Sequence, residues 1–473
     1  MKKNLFVFLI IGLMWVGMAL QAQEQKYYPP TDSLVIRKLS GWQDLKFGLL
    51  MHWGTYSEWG IVESWSLCPE DEDWCTRRGP FAKDYFNYRS AYENLKTTFN
   101  PTQFNPDAWA TAAQNAGMRY VVFTAKHHDG FCMFDTKFTH YKVTDSACPF
   151  SVNPKANILN QVFGSFRTKG FMVGAYFSKP DWHCPDYWDP YFPPFDRNPN
   201  YDITKYPDKW ERYKLFTSNQ IKELMTGYGR VDILWLDGGW VQPITATSPR
   251  WGKSPCNQDI NMNAIVSMAR SFQPGLIVVD RAVEGPNQNY LTPEQQIPDK
   301  PLPYPWETCM TMATSWSYVP HDAYKSARTL IQTLCTIVSR GGNLLLNIAP
   351  GPDGRWDSVA YERLAEIGHW MNRNSRAIYG THPIAPYQSG NTVFTAKADT
   401  VFAIYLPGET EKTMPAVITL NQWTPKPGAK AIVPGYAKPL PYKTTNGNTH
   451  ISIPAAMRKK MTMDYAWVFM FCG

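Results

Sequence analysis

The stretch Val231-Asp-Ile-Leu-Trp-Leu-Asp237 is an almost continuous apolar run that ends in a carboxylate and is followed by two glycines. Such runs are typical of parallel strands that are buried on both faces of a sheet. Further runs of this type lie at residues 47–51, 120–124, 172–177, 276–279 and 344–348. These repeated buried strands indicate an α/β protein.

Helical patterns separate the apolar runs. They cover residues 107–116, 158–169, 208–225, 260–272, 322–339 and 358–374. The alternation of strands and helices predicts a (β/α)8-like TIM barrel or a doubly wound sheet. No glycine-rich phosphate loop follows the first strand, which favours the barrel over a nucleotide-binding sheet.

The pattern changes after about Gly380, where helical periodicity stops. Short alternating segments follow at residues 392–397, 401–406, 416–420, 429–433, 450–453 and 465–471. Turn residues separate them, which predicts a C-terminal antiparallel β-sandwich. We therefore expect three parts: a signal peptide at 1–22, the barrel at 23–378 and the sandwich at 379–473.

The composition suits a large folded protein with a sugar site. Of the 473 residues, 44% are hydrophobic and 18% are charged, so the chain can bury a large core. Aromatic residues make up 15%, which suits either an aromatic core or a site where sugar C–H faces pack on rings. The net charge of +7 is spread without a basic arm, which argues against nucleic acid as a partner.

The N-terminal segment has the features of a secretory signal. Lys2-Lys3 precede an apolar stretch at 5–20, and Ala22 suits cleavage. No Cys follows the cleavage site, so we expect an exported protein, periplasmic or secreted, that is not a lipoprotein. No other stretch reaches about 18 apolar residues, so no stable membrane insertion is expected. The nine cysteines contain no C-x-x-C pair, so a zinc ribbon is not indicated.

Polar side chains follow the predicted strands. They are His52-Trp53, Lys126-His127-His128-Asp129, Ser178, Asp237 and Asp280-Arg281. In a barrel, the carboxyl ends of the strands build the active site. Asp237 fits the nucleophile of a retaining glycosidase, which needs a second carboxyl group about 5–5.5 Å away. A helix-capping aspartate is the alternative interpretation.

The pair His127-His128 allows three interpretations: binding of sugar hydroxyls, a metal site, or a structural turn. Adjacent side chains on a strand point in different directions, and no further ligand stands at the usual zinc spacing. We therefore expect no metal and no organic cofactor.

Several segments, taken together, resemble glycoside hydrolase family 29, the α-L-fucosidases. The resemblance runs in order from about residue 40 to 375. Its segments are Lys46-Phe-Gly-Leu-Leu-Met-His-Trp-Gly54, Thr124-Ala-Lys-His-His-Asp-Gly-Phe131, Asp232-Ile-Leu-Trp-Leu-Asp-Gly238, Trp306-Glu-Thr-Cys-Met310 with Ser315-Trp316-Ser317-Tyr318, and Asn343-Leu-Leu-Leu-Asn-Ile-Ala-Pro-Gly-Pro-Asp-Gly354.

The resemblance implies roles for particular residues. Asp237 matches the nucleophile. The residues that match binders of the fucose hydroxyls are His52, His127 and His128. Side chains implied to contact or enclose the sugar are Glu63, Trp65, Tyr176, Trp235, Arg281 and Trp316, the last as a wall for the fucose methyl group. Members of the family usually have the Glu and Trp adjacent, whereas Ser64 separates them in this chain.

The acid/base residue is the least constrained by the resemblance. Glu294 is the first choice because it lies on a long loop, and Glu307 and Glu284 are alternatives. The resemblance implies an exo-acting retaining α-L-fucosidase that acts on a fucosylated oligosaccharide or glycoconjugate. A related enzyme for a similar sugar such as α-L-galactose, or a non-catalytic carbohydrate-binding protein, are the alternatives. The oligomeric state does not follow from the sequence.

Overall fold

The computed structural model describes residues 26–69, 76–246, 248–411, 413–460 and 465–473. The predicted signal segment 1–22 lies outside these ranges, so export stays a prediction. Among the helices in the described ranges, none is both long enough and apolar enough to cross a membrane.

The first sheet is a parallel, barrel-like sheet of seven strands in the order β5-β4-β3-β2-β1-β7-β6. Its strands are β1 (Phe47–Met51), β2 (Tyr120–Lys126), β3 (Met172–Ser178), β4 (Ile233–Asp237), β5 (Ile277–Asp280), β6 (Glu307–Thr311) and β7 (Asn343–Asn347). This architecture confirms the predicted TIM-like barrel. Strand β6 was not predicted, because its sequence Glu-Thr-Cys-Met-Thr is not an apolar run.

Helices connect the strands and cover the sheet. They are α1 (Ser33–Leu45), α2 (Tyr85–Glu93), α3 (Pro106–Asn115), α4 (Ile158–Thr168), α5 (Pro207–Gly227), α6 (Met262–Phe272), α7 (Ala327–Ser339) and α8 (Ser358–Asn374). Several begin at a side chain that accepts a backbone N–H of the first turn, as Asp32 does for α1 and Ser326 for α7. Helices α1 and α2 were not predicted.

The gap between β5 and β6 is filled by the irregular segment 287–295. On one side the backbone N–H of Asn289 donates to the Val278 carbonyl at 2.9 Å, and on the other the N–H of Gln295 donates to the Cys309 carbonyl at 3.0 Å. The segment therefore takes the place of an eighth strand. Because it is irregular, its side chains are not bound to the alternation of a regular strand.

The C-terminal part consists of two antiparallel sheets, which confirms the predicted sandwich. Their orders are β12-β15-β10-β9-β8 and β11-β14-β13. The strands are β8 (His382–Ser389), β9 (Thr392–Lys397), β10 (Thr400–Tyr405), β11 (Val417–Leu420), β12 (Lys430–Ile432), β13 (Tyr442–Thr445), β14 (Asn448–Ser452) and β15 (Trp467–Cys472), with the short helix α9 (Ala455–Lys460). Strands β8 and β13 were not predicted, because most of their residues are not buried.

The sandwich packs on the barrel through helices α7 and α8. The indole N–H of Trp370 donates to the Ala466 carbonyl at 2.9 Å, and the Gln332 amide donates to the Pro407 carbonyl at 2.8 Å. These contacts lie on α7 and α8. The predicted site residues all belong to the barrel and not to the sandwich.

Candidate active site

A cavity of about 580 Å³ is lined by residues at and beyond the carboxyl ends of the barrel strands. Every site residue that the sequence predicts lines this cavity. They are His52, Glu63, Trp65, His127, His128, Tyr176, Trp235, Asp237, Arg281, Glu294 and Trp316. The structure thus brings them together, while the role of each stays a prediction.

Asp237 is the last residue of β4 and is almost fully buried. Its Oδ2 accepts a hydrogen bond from the Tyr176 hydroxyl at 2.6 Å. Its Oδ1 accepts from the backbone N–H of Gly238 at 2.8 Å and from Nη1 of Arg281 at 3.1 Å. The carboxylate is therefore fixed on both oxygens by neighbours from three strand ends.

Arg281 links the two predicted catalytic carboxylates. It follows the last residue of β5, and while its Nη1 donates to Asp237, its Nη2 donates to Oε2 of Glu294. The other oxygen of Glu294 accepts from the indole N–H of Trp316 at 3.1 Å. One small guanidinium group therefore holds both carboxylates side by side in the cavity.

The two alternatives to Glu294 lie elsewhere. Glu307 is the first residue of β6, is fully buried, and does not line the cavity. Its carboxylate accepts from the Tyr120 hydroxyl at 2.6 Å and from the indole N–H of Trp235 at 3.2 Å, and burial raises its pKa to about 7. Glu284 is exposed and lines a different cavity. Of the three glutamates, Glu294 alone shares a cavity with Asp237.

The electrostatics keep Asp237 ionised. Burial raises the pKa of its carboxyl group, but the charge of Arg281, the charge that His128 acquires in acid, and the hydrogen bonds from Tyr176 and Gly238 outweigh burial. The pKa of Asp237 therefore lies well below its ordinary value. A carboxylate that is ionised at neutral pH is suited to nucleophilic attack.

The adjacent histidines share one wall of the cavity. Their ring centroids lie 4.2 Å apart, and both rings line the cavity. The expectation that they point in different directions is wrong. It assumed the alternation of a strand, whereas β2 ends at Lys126, one residue before His127.

Burial keeps the three cavity histidines neutral. Burial lowers the pKa of His52, lowers the pKa of His127 well below its ordinary value, and lowers the pKa of His128 to about 4. Nε2 of His128 lies 3.8 Å from Oδ2 of Asp237. Because the ring is uncharged at neutral pH, this contact is not an ion pair there.

Aromatic rings form much of the remaining wall. Trp65 packs edge-on against His128, with ring centroids 5.2 Å apart, and Tyr176 stacks on Trp235 at 5.3 Å. Rings of this kind bind the C–H faces of a sugar. The sequence did not single out three further lining residues, Trp240, Trp251 and Arg197, which lie beyond strand ends or on long connections with no distinctive pattern.

Glu63 is a buried carboxyl group that faces the cavity. It is 1% exposed, and its Oε1 has no hydrogen-bond partner among the described residues. Burial raises its pKa to about 8, against a hydrogen bond from the Ser317 backbone. Glu63 therefore holds a proton at neutral pH and leaves a polar atom for a ligand hydroxyl.

Three polar residues that sequence reasoning did not assign hold the histidines in place. They are Asn347, Ser64 and Ser178, which lie 2.9, 2.5 and 2.6 Å from Nδ1 of His52, His127 and His128 in turn. Ser64 is the residue that separates Glu63 from Trp65. Ser64 begins a short 3-10 helix, Ser64–Leu67, that Glu63 precedes, and the side chains on either side of Ser64, Glu63 and Trp65, both line the cavity.

His127, His128 and Asp237 also form a potential metal-binding group. One ligand atom of each lies within 4.8 Å of the others, and among the described residues this is the single group of three or more such side chains. Nδ1 of each histidine already has a serine partner, so a metal would have to use the atoms that face the cavity. The expectation of no metal stays a prediction.

A parallel barrel that brings an ionised carboxylate, a second carboxylate, neutral histidines and aromatic rings into one cavity at the carboxyl ends of its strands defines a glycoside hydrolase. The family model described as Alpha-L-fucosidase matches residues 14–376. The chain belongs to the alpha-L-fucosidase family of glycoside hydrolases.

Other alpha-L-fucosidases are similar to this chain over most of its length. The alpha-L-fucosidase of Branchiostoma floridae is 28% identical over 484 residues, which cover 98% of this chain and 100% of the relative. Human plasma alpha-L-fucosidase is 28% identical over 403 residues, which cover 80% of this chain and 79% of the relative. The structure of alpha-L-fucosidase isoenzyme 1 from Paenibacillus thiaminolyticus is similar with a TM-score of 0.74 at 26% identity, covering 93% of this chain and 99% of that chain.

Glu63 gives a testable pH dependence of stability. Its folded pKa of about 8 exceeds the ordinary 4.5, so the folded state holds the proton where the unfolded state has lost it. The free energy of unfolding of the wild type should therefore fall as pH rises through this window, by at most about 1.4 kcal/mol per pH unit from this group. Glu63→Gln removes the group, so the variant should gain stability relative to the wild type as pH rises.

Urea unfolding at several pH values across this window measures the difference. Glu362→Gln, on the exposed part of α8, is the matched control. A difference between Glu63→Gln and the wild type that stays constant with pH would contradict the assignment of a raised pKa to Glu63.

Proposed function

We propose that the protein is an exo-acting retaining α-L-fucosidase, with Asp237 as the nucleophile and Glu294 as the acid/base. The observation that carries this proposal is the guanidinium of Arg281, which contacts both carboxylates inside one cavity. Two carboxyl groups held close together suit retention, because the first can attack the sugar while the second reaches the leaving oxygen.

In the first step, an oxygen of Asp237 attacks C1 of the bound α-L-fucoside. The bond from C1 to the leaving oxygen breaks as Glu294 donates its proton to that oxygen. The products are a β-linked fucosyl ester of Asp237 and the free alcohol. The position of Asp237 at a strand end, with both oxygens held, limits the motion needed for attack.

In the second step, a water molecule takes the place of the alcohol. Glu294, now a carboxylate, accepts a proton from this water as its oxygen attacks C1. The ester bond breaks, the electron pair returns to Asp237, and α-L-fucose is released. Two inversions at C1 give net retention. Arg281 stays beside both carboxylates through their opposite changes of charge.

The cavity also supports the choice of sugar. Fucose has a methyl group where galactose has a hydroxymethyl group, so a fucose site needs an apolar wall at that point. The Trp316 ring lies 5.2 Å from the His52 ring and supplies such a wall beside the hydroxyl-binding histidines. Aryl α-L-galactosides should therefore be poorer substrates than aryl α-L-fucosides, and binding without hydrolysis of either would favour the non-catalytic alternative.

The nucleophile is tested by Asp237→Gly with an aryl α-L-fucoside. We expect kcat to fall by about 10³-fold or more, because covalent catalysis is lost. Azide fits the space left by the carboxylate and attacks C1 of the substrate directly. It should restore turnover and give β-L-fucosyl azide, the product of a single inversion.

The control for this experiment is the configuration of the azide product. Turnover near the wild-type level without azide would contradict the assignment of Asp237. So would rescue that yields α-L-fucosyl azide, since that product requires a nucleophile that is still present.

The acid/base is tested by Glu294→Ala with two leaving groups. For a fucoside with a poor leaving group, kcat/KM should fall by about 10²- to 10⁴-fold, the usual contribution of general acid catalysis. For α-L-fucosyl fluoride, which needs little protonation, the first step should change far less. Azide should then attack the fucosyl-enzyme and give α-L-fucosyl azide.

Glu284→Ala and Glu307→Gln are the matched controls, because they alter the two alternative glutamates. Each should keep the wild-type ratio of activity on the two substrates. A ratio that shifts in Glu307→Gln or Glu284→Ala and not in Glu294→Ala would move the acid/base assignment to that residue.

A further inference from the structure

The hydrogen bonds behind the three cavity histidines fix which ring nitrogen of each carries the proton. Nδ1 of each ring faces a polar residue of the wall, so Nε2 is the nitrogen left for the cavity. The pairs are His52 with Asn347, His127 with Ser64, and His128 with Ser178.

His128 carries its proton on Nδ1. The Ser178 hydroxyl donates to the Pro180 carbonyl at 2.7 Å, and a carbonyl can only accept. A hydroxyl has one proton, so the contact of 2.6 Å between Ser178 Oγ and His128 Nδ1 requires the ring to donate. In a neutral ring, Nε2 is then a bare acceptor.

His127 is held in the opposite way. Ser64 Oγ accepts the backbone N–H of Asp129 at 3.0 Å, so its own proton is available to donate. The acceptor within reach, at 2.5 Å, is Nδ1 of His127, and no other acceptor for this hydroxyl occurs among the described residues. A ring donor at Nδ1 would leave the buried hydroxyl proton unsatisfied, which is costly. Nε2 of His127 therefore carries the proton.

His52 resembles His128. Oδ1 of Asn347 accepts the backbone N–H of His52 at 3.1 Å, and Nδ2 of the same amide donates to the Trp316 carbonyl at 2.6 Å. These two contacts settle which end of the amide is the oxygen. The Asn347 oxygen lies 2.9 Å from Nδ1 of His52, so Nδ1 donates and Nε2 is an acceptor.

We propose that the cavity recognises the sugar hydroxyls through a fixed pattern of hydrogen-bonding atoms. The pattern has one donor, Nε2 of His127, and two acceptors, Nε2 of His52 and Nε2 of His128. Ser64 and Ser178 are positioning residues that set this pattern from behind the rings. The inference rests on the proposed function for the identity of the ligand, a sugar whose hydroxyls meet this pattern. The proton positions themselves are set by hydrogen bonds within the protein and do not depend on a ligand.

The pattern has a consequence for the nucleophile. Nε2 of His128 lies 3.8 Å from Oδ2 of Asp237, too far for a hydrogen bond. If Nε2 carried the proton, the His128 ring could move closer and donate a hydrogen bond to Oδ2 of Asp237. That hydrogen bond would make the carboxylate a weaker nucleophile. Ser178 prevents this, because it keeps the proton on the far side of the ring. Ser178 therefore affects the chemical step, whereas Ser64 affects sugar binding.

Nitrogen-15 NMR of the ligand-free, full-length protein labelled in its histidine rings tests the pattern directly. Two-bond proton–nitrogen correlations identify the protonated nitrogen of each neutral ring. We expect a protonated Nε2 for His127 and a protonated Nδ1 for His52 and His128. A protonated Nδ1 in His127, or a protonated Nε2 in His128, would overturn the proposal.

Substitutions then connect the protons to function. Ser64→Ala removes the donor to His127, so this ring should lose its single protonated form, and KM for an aryl fucoside should rise roughly 10-fold, the size of one mispaired hydrogen bond. Ser178→Ala should instead lower kcat. Ser64→Thr keeps a hydroxyl and should restore the spectrum of His127.

Ser339→Ala is the matched control. Ser339 is buried and donates to the Thr336 carbonyl at 2.8 Å within α7, outside the cavity. It should leave both the spectra and the kinetics unchanged. A KM in Ser64→Ala equal to that of Ser339→Ala, with a changed His127 spectrum, would overturn the role of Ser64 in binding. If Ser64→Ala does not fold, the wild-type spectrum and Ser64→Thr still decide.

The two proposals fail in different ways. If the proton positions are as expected but the protein does not hydrolyse fucosides, the proposed function is contradicted and the proton assignment is still supported. Hydrolysis of fucosides by a protein with the opposite proton on His127 would contradict the inference alone.

Discussion

The guanidinium of Arg281 lies between two carboxylates, and the proposed chemistry of the site depends on that contact. Two carboxylates held close in a cavity repel each other, and burial raises the free energy of the charge on Asp237. Arg281 offsets both effects, because it keeps Asp237 ionised and holds Glu294 beside it. Its position at the end of β5, next to the end of β4, makes this contact a product of the parallel sheet.

The second carboxylate, that of Glu294, lies on an irregular part of the barrel. Between β5 and β6 the segment 287–295 replaces a regular strand, and it carries Glu294 into the cavity. A regular strand at this position would impose the two-residue alternation on its side chains. The irregular backbone removes that constraint, so a residue on a connection can face a residue on a strand end. The fold and the proposed catalytic pair are linked through this one segment.

The strands and the strand-end residues could be predicted, because buried parallel strands leave apolar runs and barrels build sites where such runs end. The run that ends at Asp237 and the run that precedes His52 illustrate this. Strand β6 could not be predicted, since it begins at the buried Glu307. The hydrogen bond that stabilises this carboxylate comes from Tyr120, 187 residues away along the chain. Ser64 and Asn347 were missed for the same reason: their roles depend on His127 and His52, which lie 63 and 295 positions away along the chain.

Asp237 is the residue that we propose forms the covalent bond to the sugar. A fucosyl fluoride with fluorine in place of the 2-hydroxyl has a good leaving group, while the fluorine slows the second step, so the covalent intermediate accumulates. Mass spectrometry of the digested protein then locates the bound sugar. We expect the added mass on the peptide that contains Asp237 and on that carboxylate. A label on Glu294 or Glu63, or inactivation without any covalent label, would contradict the account.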